Sequence, residues 1–257
     1  MIKIQPVTAL QDNYIWLINK ENTPFIVIID PGDAKPVLSA INRSGFEPLA
    51  ILITHHHSDH TGGVKEIIQT HDIPVYGPAN EAISSITHPV SEGDKLEFDG
   101  LGYSLNVMNV PGHTRGHLAY YNDDHLFCGD TLFTGGCGMV FDGTIGDLFH
   151  SLVKIACLPD NTLVFCAHEY TLDNLKFALV VEPENPELKQ RYIHTRATRK
   201  LGKPTVPSIL ALEKATNPFL RCHLPGVIQA AEAFALKTLQ SDAETFKVVR
   251  HWKDTLD

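Results

Sequence analysis

The 257-residue chain has no Cys-x-x-Cys pair, no internal repeat, no low-complexity tract and no proline-rich linker. Its five cysteines, Cys128, Cys137, Cys157, Cys166 and Cys222, are odd in number and scattered. That pattern argues against a disulfide scaffold or a thiolate zinc module and suits reduced thiols. The opening residues, MIKIQPVTALQDNY, lack the basic start and continuous apolar core of a secretory signal. No later run reaches the ~20 apolar residues that a membrane span needs. A cytoplasmic protein without a membrane partner is therefore expected. The glycine-rich stretch GGCGMVFDG contains neither GxGxxG nor a GK[ST] ending, which speaks against a nucleotide phosphate loop. A net charge of −9 speaks against a nucleic-acid partner.

What is present is ordinary in bulk, with 43% apolar and 20% charged residues, as in a globular enzyme. The charge is unevenly spread. Residues 1–188 carry 9 basic and 24 acidic side chains, whereas residues 189–257 carry 12 and 6. A basic tail of this kind is either a solvated helical surface or an anion-binding one.

Strand-like runs dominate the first two thirds: YIWLI, FIVIID, LAILIT, YSLNVMNV, LAYY, HLFCGD and TLVFCAH. Between them, 34–44, 61–70 and 147–156 fit helices. From Tyr170 onward amphipathic patterns take over, at 172–181, 186–200, 206–215, 226–239 and 242–252. The expected organisation is an α/β domain over 1–169 followed by a smaller α-helical domain over 170–257.

The informative stretch is LAILITHHHSDHTGG, residues 49–63, an apolar strand that runs into four histidines and an aspartate. If the extended geometry continues past Thr54, alternation points His55 and His57 one way and His56 the other. Asp59 and His60 then lie at the turn into a helix. Three further apolar runs end in a side chain that can bind metal: LNVMNVPGH at His113, HLFCGD at Asp130 and TLVFCAH at His168. In layered α/β folds functional groups gather where strand ends open into loops. The ligand count suggests two divalent ions. His55, His57 and His113 can hold one, Asp59, His60 and His168 the other, and Asp130 can bridge through its two oxygens. Imidazole and carboxylate without thiolate suit Zn first, with Fe or Mn as alternatives. Such a pair can bring a shared water to ionisation near neutral pH.

THHHSDH resembles the THxHxDH signature of the metallo-β-lactamase superfamily, whose fold is an αββα sandwich with its metal site at one edge. With PGHTRGH, GDTLF and AHEYT in order, and with QDNYIWLI and TVPSILALEKATNPFLR, nearly the whole chain resembles the glyoxalase II, or hydroxyacylglutathione hydrolase, branch. The resemblance implies a metallo-β-lactamase-like domain and a helical glutathione-binding domain. It implies hydrolysis of S-(2-hydroxyacyl)glutathione thioesters such as S-D-lactoylglutathione, the second step of methylglyoxal detoxification. It also implies a hydroxide nucleophile oriented by Asp59, metals bridged by Asp130, and Tyr170, Arg250 and Lys253 as glutathione contacts. Read without the resemblance, Arg250 and Lys253 are an ordinary exposed helix face and Tyr170 a core residue. The family often carries a basic residue after GCG and an aromatic hydroxyl two positions later, where this chain has Met139 and Phe141.

A lactonase, a phosphodiesterase or a glutathione persulfide dioxygenase on the same scaffold are the alternatives, and a monomer is the default state. Asp30 either orients a metal ligand or caps a turn. His117 lies behind the ligands or supports the turn. Cys137 is expected to be non-catalytic.

Overall fold

Residues 1–256 are described by the computed structural model. The first sheet forms where β-branched and aromatic residues are densest. Its strands are β1 (Ile2–Ala9), β2 (Asn13–Lys20), β3 (Phe25–Ile29), β4 (Glu47–Leu52), β5 (Val75–Pro78) and β6 (His88–Val90), in that spatial order. The pairs β1–β2 and β2–β3 are antiparallel, whereas β3–β4, β4–β5 and β5–β6 are parallel. The parallel β3–β4 pair is joined by helix α1 (Ala34–Ser44). Asp33 caps α1 by accepting from Lys35 N, and Gly45 ends it in the left-handed region at φ 64°. Its buried face, Val37, Ala40 and Ile41, packs with Ile15, Ile26, Ile28, Ile51 and Val75 of the sheet and with Ile53, Val64 and Ile67. Each buried isoleucine of this kind stabilises the fold by about 1.5–3 kcal/mol.

Helices α2 (Ser58–Thr61) and α3 (Val64–Thr70) replace the single helix expected over 61–70. The break lies at Gly62 and Gly63, whose N–H groups donate to Ser58 O and Pro31 O. A Cβ at Gly62 would meet Gly32 O at 2.7 Å, and one at Gly63 would meet Pro31 O at 2.6 Å. The two glycines therefore trade helical continuity for a close backbone approach.

Strands β7 (Lys95–Phe98), β8 (Tyr103–Asn109), β9 (Leu118–Tyr121) and β10 (His125–Gly129) run antiparallel side by side. The Tyr120 hydroxyl, fully buried, donates to Ile53 O at 2.7 Å. This anchors β9 to the end of β4. By density of contacts, residues 1–109 with 114–122 and 126–129 form one compact unit, and 110–113, 123–125 and 130 onward form a second.

The second unit contains the short hairpin β11 (Leu132–Phe133) and β12 (Gly136–Cys137) and the antiparallel pair β13 (Leu163–Cys166) and β14 (Ser208–Ile209). Its helices are α4 (Ile145–Ala156), α5 (Thr171–Val181), α6 (Pro186–Lys200), α7 (Leu210–Thr216), α8 (Pro225–Ala235) and α9 (Asp242–Asp254). Thr144, Asn185 and Ser241 cap α4, α6 and α9 through their side-chain oxygens. The helix expected over 206–215 begins only at Leu210, because Ser208 and Ile209 pair with Val164 and Leu163. The helix expected over 226–239 stops at Ala235. Leu236 turns left-handed at φ 53°, and the Glu232 carboxylate takes the Leu239 N–H at 2.9 Å.

Candidate metal centre

In the first unit, strand β4 ends at Leu52 and the chain bends through the histidine run instead of staying extended. The cause lies on β3's exit. The Asp30 carboxylate accepts from Thr54 N at 2.8 Å and Thr54 Oγ1 at 2.7 Å, so a side chain replaces the ladder bond at the strand end. Thr54 Oγ1 spends its hydrogen on Asp30 and therefore accepts from His55 Nδ1 at 3.1 Å. His55 thus presents a lone pair at Nε2, 3.0 Å from His57 Nδ1. Two ring nitrogens so close need a proton or a shared cation between them.

His56 leaves the run at the bend, not by strand alternation. It lies half-exposed and pairs with Glu81 Oε2 at 3.0 Å. The buried His60 gives Nδ1–H to Asp30 Oδ2 at 3.0 Å, leaving Nε2 as its lone-pair nitrogen, 3.5 Å from Asp59 Oδ2. Asp30 therefore orients a candidate ligand. Asp59 is held by Asn13 Nδ2, at 3.0 Å from its carboxylate and 3.4 Å from its carbonyl. Gly32 lies against that carbonyl, where an added Cβ would fall 1.8 Å away. His117 is buried and stacks on His55, with ring centroids 4.6 Å apart and 20° between planes.

In the second unit, the buried His113 donates Nδ1–H to Met139 O at 2.7 Å, which makes Nε2 the nitrogen that carries the lone pair. That Nε2 lies 3.6 Å from Asp130 Oδ2, and His168 Nε2 lies 3.4 Å from Asp130 Oδ1. These spacings exceed a good hydrogen bond. They match the separation of about 3.3 Å between neighbouring ligands of a tetrahedral ion with bonds near 2.0–2.1 Å. His168 stacks flat on Tyr170, centroids 4.8 Å apart and 4° between planes, and the Phe133 ring meets both edge-on. Within the first unit His55, His57, Asp59 and His60, and within the second His113, Asp130 and His168, thus present nitrogen and oxygen donors at ligand-like spacing. His/Asp clusters of this kind fit divalent metal ions.

Tyr170 is partly exposed and precedes α5. Arg250 and Lys253 are not an exposed helix face. They are 3% and 9% exposed, because α9 turns this side inward. Arg250 Nη1 donates to Cys137 O at 3.1 Å, Nη2 meets Asp254 at 2.7 Å, and the guanidinium lies 5.2 Å over the Phe219 ring. Met139 and Phe141 are 60% and 65% exposed. Burial pushes the Cys137 thiol up to about 11 despite the neighbouring Arg250, so this cysteine is a poor nucleophile, as expected.

Several supporting residues carried no signal in the sequence. Glu81 accepts from the Thr114 hydroxyl and from Gly116 N at 3.1 Å as well as pairing with His56. Asn13 shows only as a polar residue opening an apolar strand. Glu213 and Asn217 bond backbone groups of the β11–β12 turn, and their separation of about 80 residues from it hides the relation.

Residues 12–168 match the family described as metallo-beta-lactamase superfamily, and residues 169–256 the one described as hydroxyacylglutathione hydrolase C-terminus. The chain is 50% identical over 254 residues to a hydroxyacylglutathione hydrolase of Nitrosomonas europaea, covering 99% of this chain and 96% of that protein. It is 52% identical to one of Alkalilimnicola ehrlichii over 99% of both chains. Among solved structures, BLEG-1 B3 metallo-beta-lactamase has a TM-score of 0.64 at 24% identity, covering 86% of this chain and 99% of that one. The fold is thus the metallo-β-lactamase αββα sandwich with a helical C-terminal region.

Proposed function

Because this chain belongs to the hydroxyacylglutathione hydrolase family of the metallo-β-lactamase superfamily, we propose that it hydrolyses S-(2-hydroxyacyl)glutathione thioesters. S-D-lactoylglutathione is the leading substrate, and glutathione and D-lactate are the products, as in the second step of methylglyoxal detoxification. In this reading His55, His57 and His113 would hold one divalent ion and Asp59, His60 and His168 the second, with Asp130 as the carboxylate they would share. Zn is the first choice and Fe or Mn the alternatives. The observation that carries the reading is the Asp130 carboxylate, with one oxygen toward His113 and the other toward His168.

When bound, such a pair ionises water near neutral pH and polarises the acyl oxygen. The chain's own groups do the rest. Asp59, pinned by Asn13, orients the attacking oxygen from a fixed position. Lys253 and Arg250 supply positive charge for the glycine carboxylate of glutathione, and Tyr170 lies along the tripeptide. The leaving thiolate has a pKa near ~8.5 and departs without a general acid. The reading also includes a catalytic domain over 1–169, a substrate-binding domain over 170–257, a monomer, and a cytoplasmic setting, for which five scattered cysteines without a Cys-x-x-Cys pair speak.

The test is steady-state hydrolysis of S-D-lactoylglutathione by metal-replete protein, with metal content measured beside it. Asp130→Ala is expected to lose both metal and turnover, and Lys253→Met to raise KM more than it lowers kcat. A folded parent that holds two ions but leaves the thioester intact would refute the assignment. Lactones, phosphodiesters and glutathione persulfide would then be the substrates to try.

A further inference from the structure

The β11–β12 hairpin and the residues flanking it touch Asp130, His113, His168, Tyr170 and Arg250. Asp130 enters it, and Gly138, at its exit, donates to Thr131 O at 3.2 Å. A Cβ at Gly138 would sit 1.9 Å from Asp130 O. The next residue, Met139, offers the carbonyl that sets the His113 tautomer. Phe133 presents its ring to His168 and Tyr170, and Cys137 O receives Arg250. Two two-residue strands cannot hold such a loop in one place by themselves.

Side chains from the helices hold it. Asn217, fully buried after α7, gives Nδ2–H to Gly136 O at 2.9 Å and Phe133 O at 3.2 Å. Its own oxygen accepts from Phe219 N at 3.1 Å, which fixes the amide's orientation. Glu213, also fully buried, accepts Gly135 N–H at 2.8 Å and is itself held by Arg191. Asn174 of α5 reaches Thr134 O at 3.2 Å. The four residues of the turn, Phe133 to Gly136, thus each give one backbone group to a buried helical side chain. None of these helical side chains is itself a candidate ligand.

We propose that Asn217, with Glu213 and Asn174, is a positioning residue for the metal pair, acting through the hairpin on Asp130, His113 and His168. This rests on the binuclear reading above. The helical region is then part of the machinery that places the metal ligands, beyond its role in holding substrate. Buried polar contacts that orient ligands from behind are typically worth ten- to a hundredfold in metal affinity or activity.

The experiment compares Asn217→Ala and the milder Asn174→Ala with Leu188→Ala, a core truncation in α6 that packs with Leu175 and Ala178. Zinc affinity is measured by chelator competition at a temperature where circular dichroism shows each protein folded, and kcat and KM are determined separately. Asn217→Ala is expected to weaken zinc binding about tenfold or more and lower kcat, with KM changed less than threefold. Asn174→Ala should move the same way by a smaller factor, and Leu188→Ala should lose stability with zinc affinity unchanged. Parent-like zinc affinity in folded Asn217→Ala overturns the proposal. So does an equal loss in Leu188→Ala, which would assign the effect to general loosening. Should Asn217→Ala not fold, Asn174→Ala against Leu188→Ala decides by the same criterion. A parent that binds fewer than two zinc ions overturns the binuclear reading itself, and is seen before any variant is made.

Discussion

Replacing Asp30 by asparagine changes one atom and is expected to disable one metal position while leaving the fold in place. Asp30 has φ 51°, a left-handed backbone that asparagine tolerates better than most residues. In the parent, Oδ1 takes Thr54 N at 2.8 Å, and Oδ2 takes both Thr54 Oγ1 at 2.7 Å and His60 Nδ1 at 3.0 Å. With the amide oxygen kept on Thr54 N, the new NH2 group faces Thr54 Oγ1 and His60 Nδ1 and must donate to them. His60 then carries its proton on Nε2, the nitrogen 3.5 Å from Asp59 Oδ2 that the proposed ion requires. Exchanging bonds to a charged acceptor for neutral ones costs about 1–3 kcal/mol of stability. Loss of the orienting carboxylate costs about ten- to a hundredfold in metal affinity, or about 1.4–2.7 kcal/mol. Titration against a chromophoric chelator, with total metal measured by mass spectrometry, should show one tight and one weakened ion per chain. Two ions held within twofold of the parent's affinity would refute the tautomer argument.

Tyr120→Phe removes the donor to a buried carbonyl at Ile53, and should lower stability in urea by about 1–3 kcal/mol with metal content unchanged. An unchanged midpoint would mean that Ile53 O is satisfied another way. Glu81→Ala frees His56, Thr114 and Gly116 together. It is expected to cost several bonds' worth, about 3 kcal/mol, and a denaturation midpoint within error of the parent's would count against it. Burial raises the Cys137 thiol from 9.0 to about 11 and Cys166 to about 12. Below pH 9 both are neutral folded or unfolded, so their preference for the folded state is intact. Above it the unfolded chain ionises first, and stability should fall as pH rises through 9 to 12. A Cys137→Ala variant should fall less steeply over that window, and identical slopes would sink the attribution.

Much of the site could be read from strand endings, because residue type and spacing expose ligands directly. His55, His57, Asp59 and His60 crowd one motif, and His113, Asp130 and His168 each close an apolar run. What stayed hidden depends on distance along the chain. Asp30 reaches His60 across 30 residues, and Asn217 reaches Gly136 across 81. Local periodicity carries no trace of such pairs. The exposed-face reading of Arg250 and Lys253 failed for a related reason. Charge suggests solvent, but α9 buries that side, where Asp254, Phe219 and Cys137 O receive the guanidinium. Helix ends were misjudged where one contact outweighed propensity, as when Ser208 and Ile209 joined a strand instead of starting a helix.

The contact of Gly32 with the Asp59 carbonyl has a consequence for anyone diversifying this scaffold. A library built by randomising the lining of the metal centre would treat position 32 as a neutral neighbour, since it offers no side chain. Yet the smallest addition there, a methyl group, would land 1.8 Å from Asp59 O and push away the segment that carries Asp59 and His60. Nearly all codons at position 32 should therefore drop out of any selection for activity. Diversity is better spent on Met139 and Phe141, whose exposed side chains leave room for new shapes.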